Sequence, residues 1–361
     1  MVEPSAIDIV LFVVFLIVLI FPFKVRIVEE NLEIFLFVMG ALAVTVTSKW
    51  GLELVRQAVE EPIARGIVPA VLVAGLVFFY GRRAFERAVN SALKVVPMNL
   101  AVFVIVVGLG LLSSVITAII AALLLVEVTN LMPLRHKDKT NLVIISCFSI
   151  GLGAVLTPLG EPLSTIAVVK LSSAPYHAGF WYLFDQLGIL VTLGVVGCGL
   201  FGIFHVGKKS SRHVHRVEVA VAAGGLKEVF VRAIKVYAFV AALFLLGAGM
   251  EVIINKYFTL LPATILFWLN MVSAILDNAT LTAAEIAPSM TQAQINAALM
   301  GLLVSGGMLI PGNIPNIISA GKLGIKSSEW AKLGVPLGLA INAIYFVAIF
   351  FLGFSPRLGF V

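Results

Sequence analysis

The sequence predicts an all-α polytopic membrane protein built from two inverted-topology repeats. Three observations lead to this fold class: the composition, the recurrence of long apolar runs, and the placement of the basic residues. Of the 361 residues, 60% are hydrophobic and only 12% are charged, which is about half the charged share of a soluble domain. The net charge of +6 comes mainly from short stretches between apolar runs, where the positive-inside rule explains it. The expected partner is therefore the lipid bilayer, and nucleic acid is not an expected partner.

Eight apolar runs are predicted to cross the membrane, because a crossing helix needs about 20 mostly apolar residues. They are 6–23, 33–48, 64–81, 141–170, 183–206, 230–249, 294–321 and 333–354. The first run is followed by Lys24 and Arg26, whereas a signal peptide has its positive charge before the apolar stretch. It is therefore predicted to be a retained helix with its N-terminus outside.

Two further apolar stretches, 97–132 and 259–290, are too long for single crossings and are polar in their middle. The central polar residues are Ser113, Ser114 and Thr117 in the first stretch and Ser273, Asp277 and Asn278 in the second. Two half-length helices that meet at a polar tip, a re-entrant hairpin, fit such a stretch better than one helix. The irregular backbone of such a tip is tolerated within the membrane only where protein or water surrounds it.

The basic connections support this hairpin interpretation. If 97–132 and 259–290 each enter and leave on one side, all strongly basic connections fall on the same face of the membrane, as the positive-inside rule requires. Counting either stretch as a full crossing divides these connections between the two faces. The interpretation places 207–229 in the cytoplasm and both chain termini outside.

The order of segments repeats in the opposite direction. Residues 64–206 contain a crossing, a hairpin, a broken crossing and a crossing, and residues 230–354 contain the same series starting from the other side. Inverted repeats place a site near the middle of the membrane in many secondary transporters. The chain is predicted to begin with two scaffold helices in 1–63. The first repeat, 64–206, contains hairpin 97–132 and broken helix 141–170, and the second repeat, 230–354, contains hairpin 259–290 and broken helix 294–321. The linker 207–229 joins the repeats, and the tail 355–361 follows them.

The two broken crossings are predicted from proline and glycine. Residues 156–165 and 310–319 each contain two prolines and a glycine within an apolar run, and proline removes a helical hydrogen bond and clashes with the preceding turn. Freed carbonyls and half-helix ends can hold ions at mid-membrane. The alternative is a pair of kinked helices that only pack. Two matched breaks, each with a polar hairpin, favour an ion-binding site.

Two acidic residues lie deep in the predicted membrane region, Asp277 at the second tip and Glu161 in the first break. A charged side chain at the bilayer centre costs about 2.5–3.5 kcal/mol, so it commonly serves function. Each acid could instead cap the helix that follows it. The hairpins and breaks contain no lysine or arginine, and carboxylates with Ser, Thr and Asn oxygens suit a hard cation or protons. Asp277 and Glu161 are therefore the predicted metal ligands, sodium is the expected cation, and no other cofactor is expected.

Glu127, Glu285 and Lys170 are further charged residues within apolar stretches. Glu127 and Glu285, in the second arms of the two hairpins, are expected as readily in solvent as in an ion pathway. Lys170, at the end of its crossing, is expected to extend its ammonium group to the membrane surface.

The segments Ser273–Asn278 and Pro311–Asn316 resemble the ion transporter superfamily, which includes NhaD-type sodium/proton antiporters, arsenite permeases and sodium/dicarboxylate symporters. GEPLSTI at 160–166 and LDNATLTAAEI at 276–286 more closely resemble a little-characterised prokaryotic family of cation transporters. The resemblance implies a homodimer in the plasma membrane of a prokaryote, with a transport domain that moves against a scaffold. It also implies that hairpin tips and broken helices form the substrate site.

The resemblance gives site roles to several residues of this chain. They are Asp277, Asn278, Asn313 and Asn316 in the second repeat and Thr157, Glu161 and Ser164 in the first. Ser113, Thr117 and Ser273, from the polar tips, complete the predicted binding set. The first tip lacks the Ser-Asn-Thr triplet of dicarboxylate transporters, and the first break carries an acid where arsenite and dicarboxylate relatives tend to be neutral. Both departures favour a cation.

The leading prediction is a secondary active cation/proton antiporter that moves sodium by alternating access. The alternative is a sodium- or proton-coupled symporter of a small oxyanion or carboxylate. An enzyme is not expected, because the sequence lacks both the GxGD pattern of aspartyl intramembrane proteases and the HExxH pattern of membrane metalloproteases.

Overall fold

The computed structural model describes residues 5–25, 27–28, 31–64, 68–69, 72–73, 76, 79–81, 97–132, 134–206, 226–276 and 278–352. These residues form helices joined by short connections, and no strand occurs among them. Outside the described residues lie half of the predicted crossing 64–81, most of the linker 207–229, the tail 355–361 and the candidate ligand Asp277.

The first half of the chain begins with α1 (Ala6–Lys24), α2 (Leu32–Val46) and α3 (Leu52–Ala64) and continues with α4 (Met98–Ile116), α5 (Ala118–Leu131), α6 (His136–Ala154), α7 (Pro162–Lys170) and α8 (Tyr182–His205). In the second half, α9 (Leu226–Ile253) runs into a π-helical segment (Ile254–Phe258), which is followed by α10 (Ala263–Leu269) and a 3-10 segment (Asn270–Ala274). The remaining elements are α11 (Asn278–Glu285), α12 (Gln292–Gly306), a 3-10 turn (Ile310–Gly312), α13 (Ile314–Leu323) and α14 (Ser327–Phe350).

Within the described part of the chain, four helices are long and apolar enough to cross a membrane, by length and composition. They cover Met98–Ile116, Tyr182–His205, Val229–Phe258 and Ser327–Phe350, and shorter apolar helices cover Ala6–Val18, Glu33–Val46, Ala118–Asn130 and Ala263–Ala274. Together they confirm the prediction of a helical, multi-pass membrane protein.

The helix is interrupted within both predicted broken crossings, between α6 and α7 and between α12 and α13. Pro162 occupies the first position of α7, and Pro315 the second position of α13. Proline is favoured in a first turn because the N–H groups there have no helical acceptor. The prolines therefore begin the second helix of each pair and do not kink a continuous one.

The core lies around α6 and α12. Every residue from Leu142 to Ala154 in α6 and from Gln294 to Gly306 in α12 is buried. Helix α6 packs against α4, α5 and α8, while α12 packs against α10, the 3-10 segment and α14, and the two central helices also contact each other. Beside them, α9 packs against α1, α2 and α3.

The described residues of region 1–63 include α3 in addition to the helices at the two predicted positions, α1 and α2. Helix α3 carries charged residues at Glu53, Arg56 and Glu60 on one side, with Arg56 and Glu60 paired at 3.0 Å, and buries Ala58. This amphipathic pattern at helical spacing is not apolar enough to be found by searching for membrane crossings.

The first arm of the first predicted hairpin is also longer than expected. Helix α4 has 19 residues, about 28 Å at 1.5 Å per residue, because no proline or polar cluster interrupts it before Ser113. The arms of the second stretch, 263–274 and 278–285, are short. That the chain re-enters the membrane at these tips stays a prediction.

Candidate functional site

The interruptions of the two helix pairs share one backbone geometry. The C-cap residues that follow the first helix of each pair, Val155 and Gly307, have φ/ψ of −70°/−20° and −76°/−19°. The residues that precede the second helix, Glu161 and Asn313, have φ/ψ of −155°/163° and −153°/148°. Glu161 and Asn313 therefore occupy corresponding positions in the two interruptions.

A glycine makes each interruption possible. A Cβ atom on Gly160 would lie 1.9 Å from the carbonyl oxygen of Ala154, and one on Gly312 would lie 2.5 Å from that of Gly306. Ala154 and Gly306 are the last residues of α6 and α12. The chain thus folds back onto the end of its own helix, at a distance that only glycine, lacking a Cβ, permits.

The tip between α4 and α5 lies against the first interruption. Thr117 forms this tip with a φ of 78° and a ψ of 147°, in a region that residues other than glycine rarely adopt. The next residue, Ala118, donates its backbone N–H to the carbonyl of Gly160 at 2.7 Å. In return, the hydroxyl of Thr157 donates to the carbonyl of Ser114.

The same type of contact joins tip and helix in both halves. The buried hydroxyl of Ser113 donates to the carbonyl of Ile150 in α6 at 3.0 Å. The buried hydroxyl of Ser273 donates to the carbonyl of Leu302 in α12 at 3.2 Å. Each tip is therefore fixed to the helix just before an interruption.

Glu161 presents its carboxylate inside the protein, with the residue 5% exposed. It occupies the N-cap position of α7, where the positive end of a helix favours a negative charge. Its backbone carbonyl accepts hydrogen bonds from the Ser164 hydroxyl at 2.7 Å and the Thr165 N–H at 3.3 Å. Ser164 is thereby committed to holding the first turn of α7.

Asn316 plays a corresponding role in the second interruption. Its side chain is fully buried, and its Nδ2 donates to the carbonyls of Gly306 at 2.8 Å and Leu309 at 2.9 Å. Because both amide hydrogens are used there, Oδ1 points elsewhere, and it has no donor among the described residues. An amide oxygen of this kind is a possible ligand for a cation.

Asn313 and Asn278 extend the same polar region. Asn313 is buried, with its Nδ2 2.9 Å from where a Cβ on Gly151 of α6 would lie, so the second interruption touches the helix of the first. Asn278 is buried at the start of α11, near Gly306. Asp277 precedes it and lies outside the described residues.

The helices that leave the tips pack against the opposite half. Helix α5, which follows the first tip, packs on α13, which follows the second interruption, and α11, which follows the second tip, packs on α7, which follows the first. This exchange brings both tips and both interruptions to one central region around α6 and α12.

The described part of the chain thus brings the predicted site residues together at tips and interruptions. Of the predicted site residues that the structure describes, which excludes Asp277, all are buried except Thr117, which is half-buried. Their oxygens belong to a carboxylate, amides, hydroxyls and main-chain carbonyls, a set that suits a hard cation. No group of three or more His, Cys, Asp or Glu side chains occurs among the described residues, so a cation there would need amide, hydroxyl or carbonyl ligands too.

The expectation for Lys170 was wrong. Its side chain is buried and its ammonium group donates to the carbonyl of Ala283 on α11, because α11 packs against α7. Glu285, on the same helix, is also buried. The sequence carries no local signal for this contact, since it depends on which helix packs against α7.

Fold and site together define a multi-pass helical membrane protein with two matched helix interruptions in its core. The chain belongs to the family described as "Protein of unknown function (DUF1646)", whose model matches residues 8–352. No curated protein matches the chain.

Proposed function

We propose that the protein is a secondary active ion transporter that exchanges sodium for protons by alternating access. The observation that carries the proposal is the pair of matched interruptions at Glu161 and Asn313, buried in the core and surrounded by oxygen atoms. Interrupted helices that offer unpaired backbone and polar side chains within the membrane are where secondary transporters bind their ions.

Corresponding contacts in the two halves support this function, and we propose that the halves are inverted repeats. In each half a tip is bonded through a serine, Ser113 or Ser273, to the helix before an interruption, and the helices after the tips pack on the opposite half. On this proposal both tips belong to re-entrant hairpins and the site lies at mid-membrane. Helices α1, α2, α3 and α9 then form the scaffold of a homodimer in the prokaryotic plasma membrane, with both termini outside.

The chemistry of exchange rests on the two acids. Glu161 and Asp277 alternate between a protonated and a cation-bound state, because a carboxylate must lose its proton to bind a metal ion. Asn278, Asn313 and Asn316 supply amide oxygens. No covalent step and no cofactor other than the transported cation is required, which distinguishes the protein from an enzyme.

A second candidate, coupled symport of a small oxyanion or carboxylate, is favoured by one observation. The N-terminal ends of α5, α7, α11 and α13 all lie at the tips and interruptions, and helix N-termini attract negative charge. If the protein is a cation/proton antiporter, we propose that Glu161 and Asp277 supply the negative charge at these helix ends. If it is an anion symporter, the transported anion supplies this charge.

The test is dissipation of a pH gradient by proteoliposomes that contain the purified protein. Sodium, lithium, potassium and calcium are added in turn, without any organic substrate, to wild type, Asp277→Asn and Glu127→Gln. Glu127 is the matched control, because it is a half-buried acid on α5 away from the interruptions.

Dissipation by one cation, lost in Asp277→Asn and kept in Glu127→Gln, is the expected result. No response to any cation overturns antiport. Uptake of a small anion that depends on sodium or protons then supports the second candidate.

A further inference from the structure

Lys170 and Glu285 form a buried charged pair at some distance from the interruptions. Lys170 is the last residue of α7 and Glu285 the last residue of α11, and these two helices pack against each other. The residues are 9% and 3% exposed. The opposite ends of the same helices carry Glu161 and Asn278, so the pair is joined to the proposed ion site by two rigid helices.

The contacts around the pair leave Glu285 only partly satisfied. The ammonium group of Lys170 donates to the carbonyl of Ala283, and no direct ion pair joins it to Glu285, although the two charges act on each other. The amide of Asn270 lies beside the Glu285 carboxylate. Oxygen Oε2 of Glu285 receives no hydrogen bond from any described residue, so this oxygen is available to a proton.

A cavity lies beside this pair: Lys170 and Ile286, the residue after Glu285, line it, whereas Glu285 itself does not. The volume of the cavity is about 230 Å³, and Lys170 contributes to its wall together with Gln57 of α3, Glu251 of α9, Ser172 after α7 and Pro288 after α11. A water molecule occupies about 30 Å³ in the liquid, so the cavity has room for several. The wall combines α3 and α9 on one side with the ends of α7 and α11 on the other.

We propose that Glu285, with Lys170 as its counter-charge, is a proton-binding site that carries a proton of the exchange cycle. The inference rests on the proposed cation/proton exchange and adds a proton site separate from the interruptions. The proton comes from water in the cavity, binds a carboxylate oxygen of Glu285, and returns to water later in the cycle. No other bond forms or breaks.

Protonation of Glu285 is coupled to the arrangement of the helices by electrostatics. While Glu285 is ionised, the pair is neutral and can stay buried. When Glu285 binds a proton, Lys170 becomes a buried charge without compensation, which is strongly unfavourable in a protein interior. Widening of the cavity, so that water reaches Lys170, relieves this cost, and proton binding therefore favours movement of α7 and α11 away from α3 and α9.

Other charges near the pair are already compensated or distant from it. Among the described residues of the helices packed against α7 and α11, Glu251 of α9 is paired with Lys49, and Asp8 of α1 is paired with Lys256. Helix α8 carries Asp185, and α12 carries no charged residue. Lys170 is the charged group that acts on Glu285.

Two transport measurements on the same proteoliposomes test the site. Sodium/sodium counterflow, followed with isotope, needs the ion site alone, whereas dissipation of a pH gradient by sodium also needs the proton. In Glu285→Gln we expect counterflow to stay within about twofold of wild type while dissipation falls about tenfold or more. Lys170→Met is expected to show the same separation.

Two controls accompany these variants. Lys322→Met removes a lysine from the last turn of α13, which is exposed, and is expected to change neither measurement. The double variant Lys170→Met/Glu285→Gln leaves no unpaired buried charge, so it keeps the test possible if a single variant fails to fold, and it is expected to separate the two measurements in the same way.

The outcomes distinguish this inference from the proposed function. If the wild-type protein exchanges sodium for protons and Glu285→Gln dissipates the pH gradient at the same rate, the proton site is overturned and the proposed antiport is not affected. If wild type shows no exchange, the proposed function fails, and an infrared pH titration of the purified protein decides about the pair on its own. A titrating carboxyl signal that is missing in Glu285→Gln supports the proton site, and an unchanged titration contradicts it.

Discussion

The two helix interruptions have the same backbone and different side-chain chemistry. At the first, the N-cap residue is the acid Glu161, followed by the hydroxyl of Ser164, whereas at the second these places are taken by the amides of Asn313 and Asn316. The acid predicted for the second half, Asp277, precedes Asn278 in the sequence and lies outside the described residues. The repeated backbone therefore supplies a frame, and the side chains decide where negative charge is placed.

The far ends of the helices that follow show a similar contrast. Lys170 and Lys322 each lie in the last turn, of α7 and α13, yet the first is buried and the second exposed. The difference arises from the neighbouring helices, since α7 is covered by both α9 and α11. A basic residue at a corresponding place thus has a different role in each half.

The largest expected effect concerns what the two interruptions share. Gly160→Ala and Gly312→Ala place a methyl group where no space exists, so each is expected to lower the free energy of unfolding by about 3 kcal/mol or more and to abolish exchange. Thermal unfolding in detergent measures the first effect. Gly321→Ala in α13, where an added Cβ meets open space, is the matched control and should leave stability unchanged or slightly higher.

If Gly160→Ala is as stable as wild type and Gly312→Ala is not, the two interruptions do not share this glycine requirement. That result would mean that only the second interruption depends on close approach of the chain to its own helix.

The next effect concerns what the interruptions do not share. Glu161→Gln removes the charge from the first interruption and is expected to lower the maximal rate of the proposed sodium/proton exchange about tenfold or more, because a carboxylate at the proposed mid-membrane position commonly binds ions. Asn313→Ala removes a neutral group at the corresponding position and is expected to cost about two- to fivefold. Initial rates of pH-gradient dissipation at saturating sodium compare the two, and equal losses would show that charge does not distinguish the interruptions.

A smaller difference is expected in stability. Asn316→Ala leaves the carbonyls of Gly306 and Leu309 without their side-chain donor and should lower the free energy of unfolding by about 2–3 kcal/mol. Ser164→Ala removes one bond to the Glu161 carbonyl, which keeps the Thr165 N–H, so about 1 kcal/mol is expected. Denaturant titration in micelles gives both values. A larger loss of stability in Ser164→Ala than in Asn316→Ala would show that the first interruption depends more on its side-chain hydrogen bond than the second.

The smallest effect is expected at the first tip. Thr117 adopts a backbone conformation that costs about 1–3 kcal/mol for a residue other than glycine, and its side chain accepts only a long bond of 3.4 Å from Ile120. Thr117→Gly should therefore leave the melting temperature unchanged or raise it, while Thr117→Val, which keeps the strain and loses the hydroxyl, should lower it. A clear loss of stability in Thr117→Gly would show that the hydroxyl contributes more than the strain costs.

Local chemistry allowed the interruptions and tips to be predicted. Proline at 158, 162, 311 and 315 and glycine at 160 and 312 act on their own helical turns, so their effect does not depend on the rest of the fold. The polar residues at the tips were found because they are unusual within long apolar stretches. For the same reason, Glu161 was predicted as a candidate ligand, whereas the site roles of Asn278, Asn313 and Asn316 were predicted from the resemblance to ion transporters.

The features that sequence analysis missed depend on contacts between distant segments. Burial of Lys170 follows from α11 lying over α7, and nothing near Lys170 in the sequence indicates that neighbour. The conformation of Thr117 was also missed, because a positive φ is expected for glycine. Helix α3 was not predicted for a different reason. It is amphipathic, and the charged residues on one face keep it below the hydrophobicity expected of a membrane crossing.

Proton release on sodium binding tests the central claim most directly, since the claim is that the two interruptions and tips form one ion site that competes for cations and protons. Sodium is added to the purified protein in weakly buffered detergent solution, and the released protons are counted. The account predicts release from wild type that is lost both in Glu161→Gln, in the first half, and in Asp277→Asn, in the second. Sodium binding without proton release in wild type, or release that persists in both variants, would contradict it.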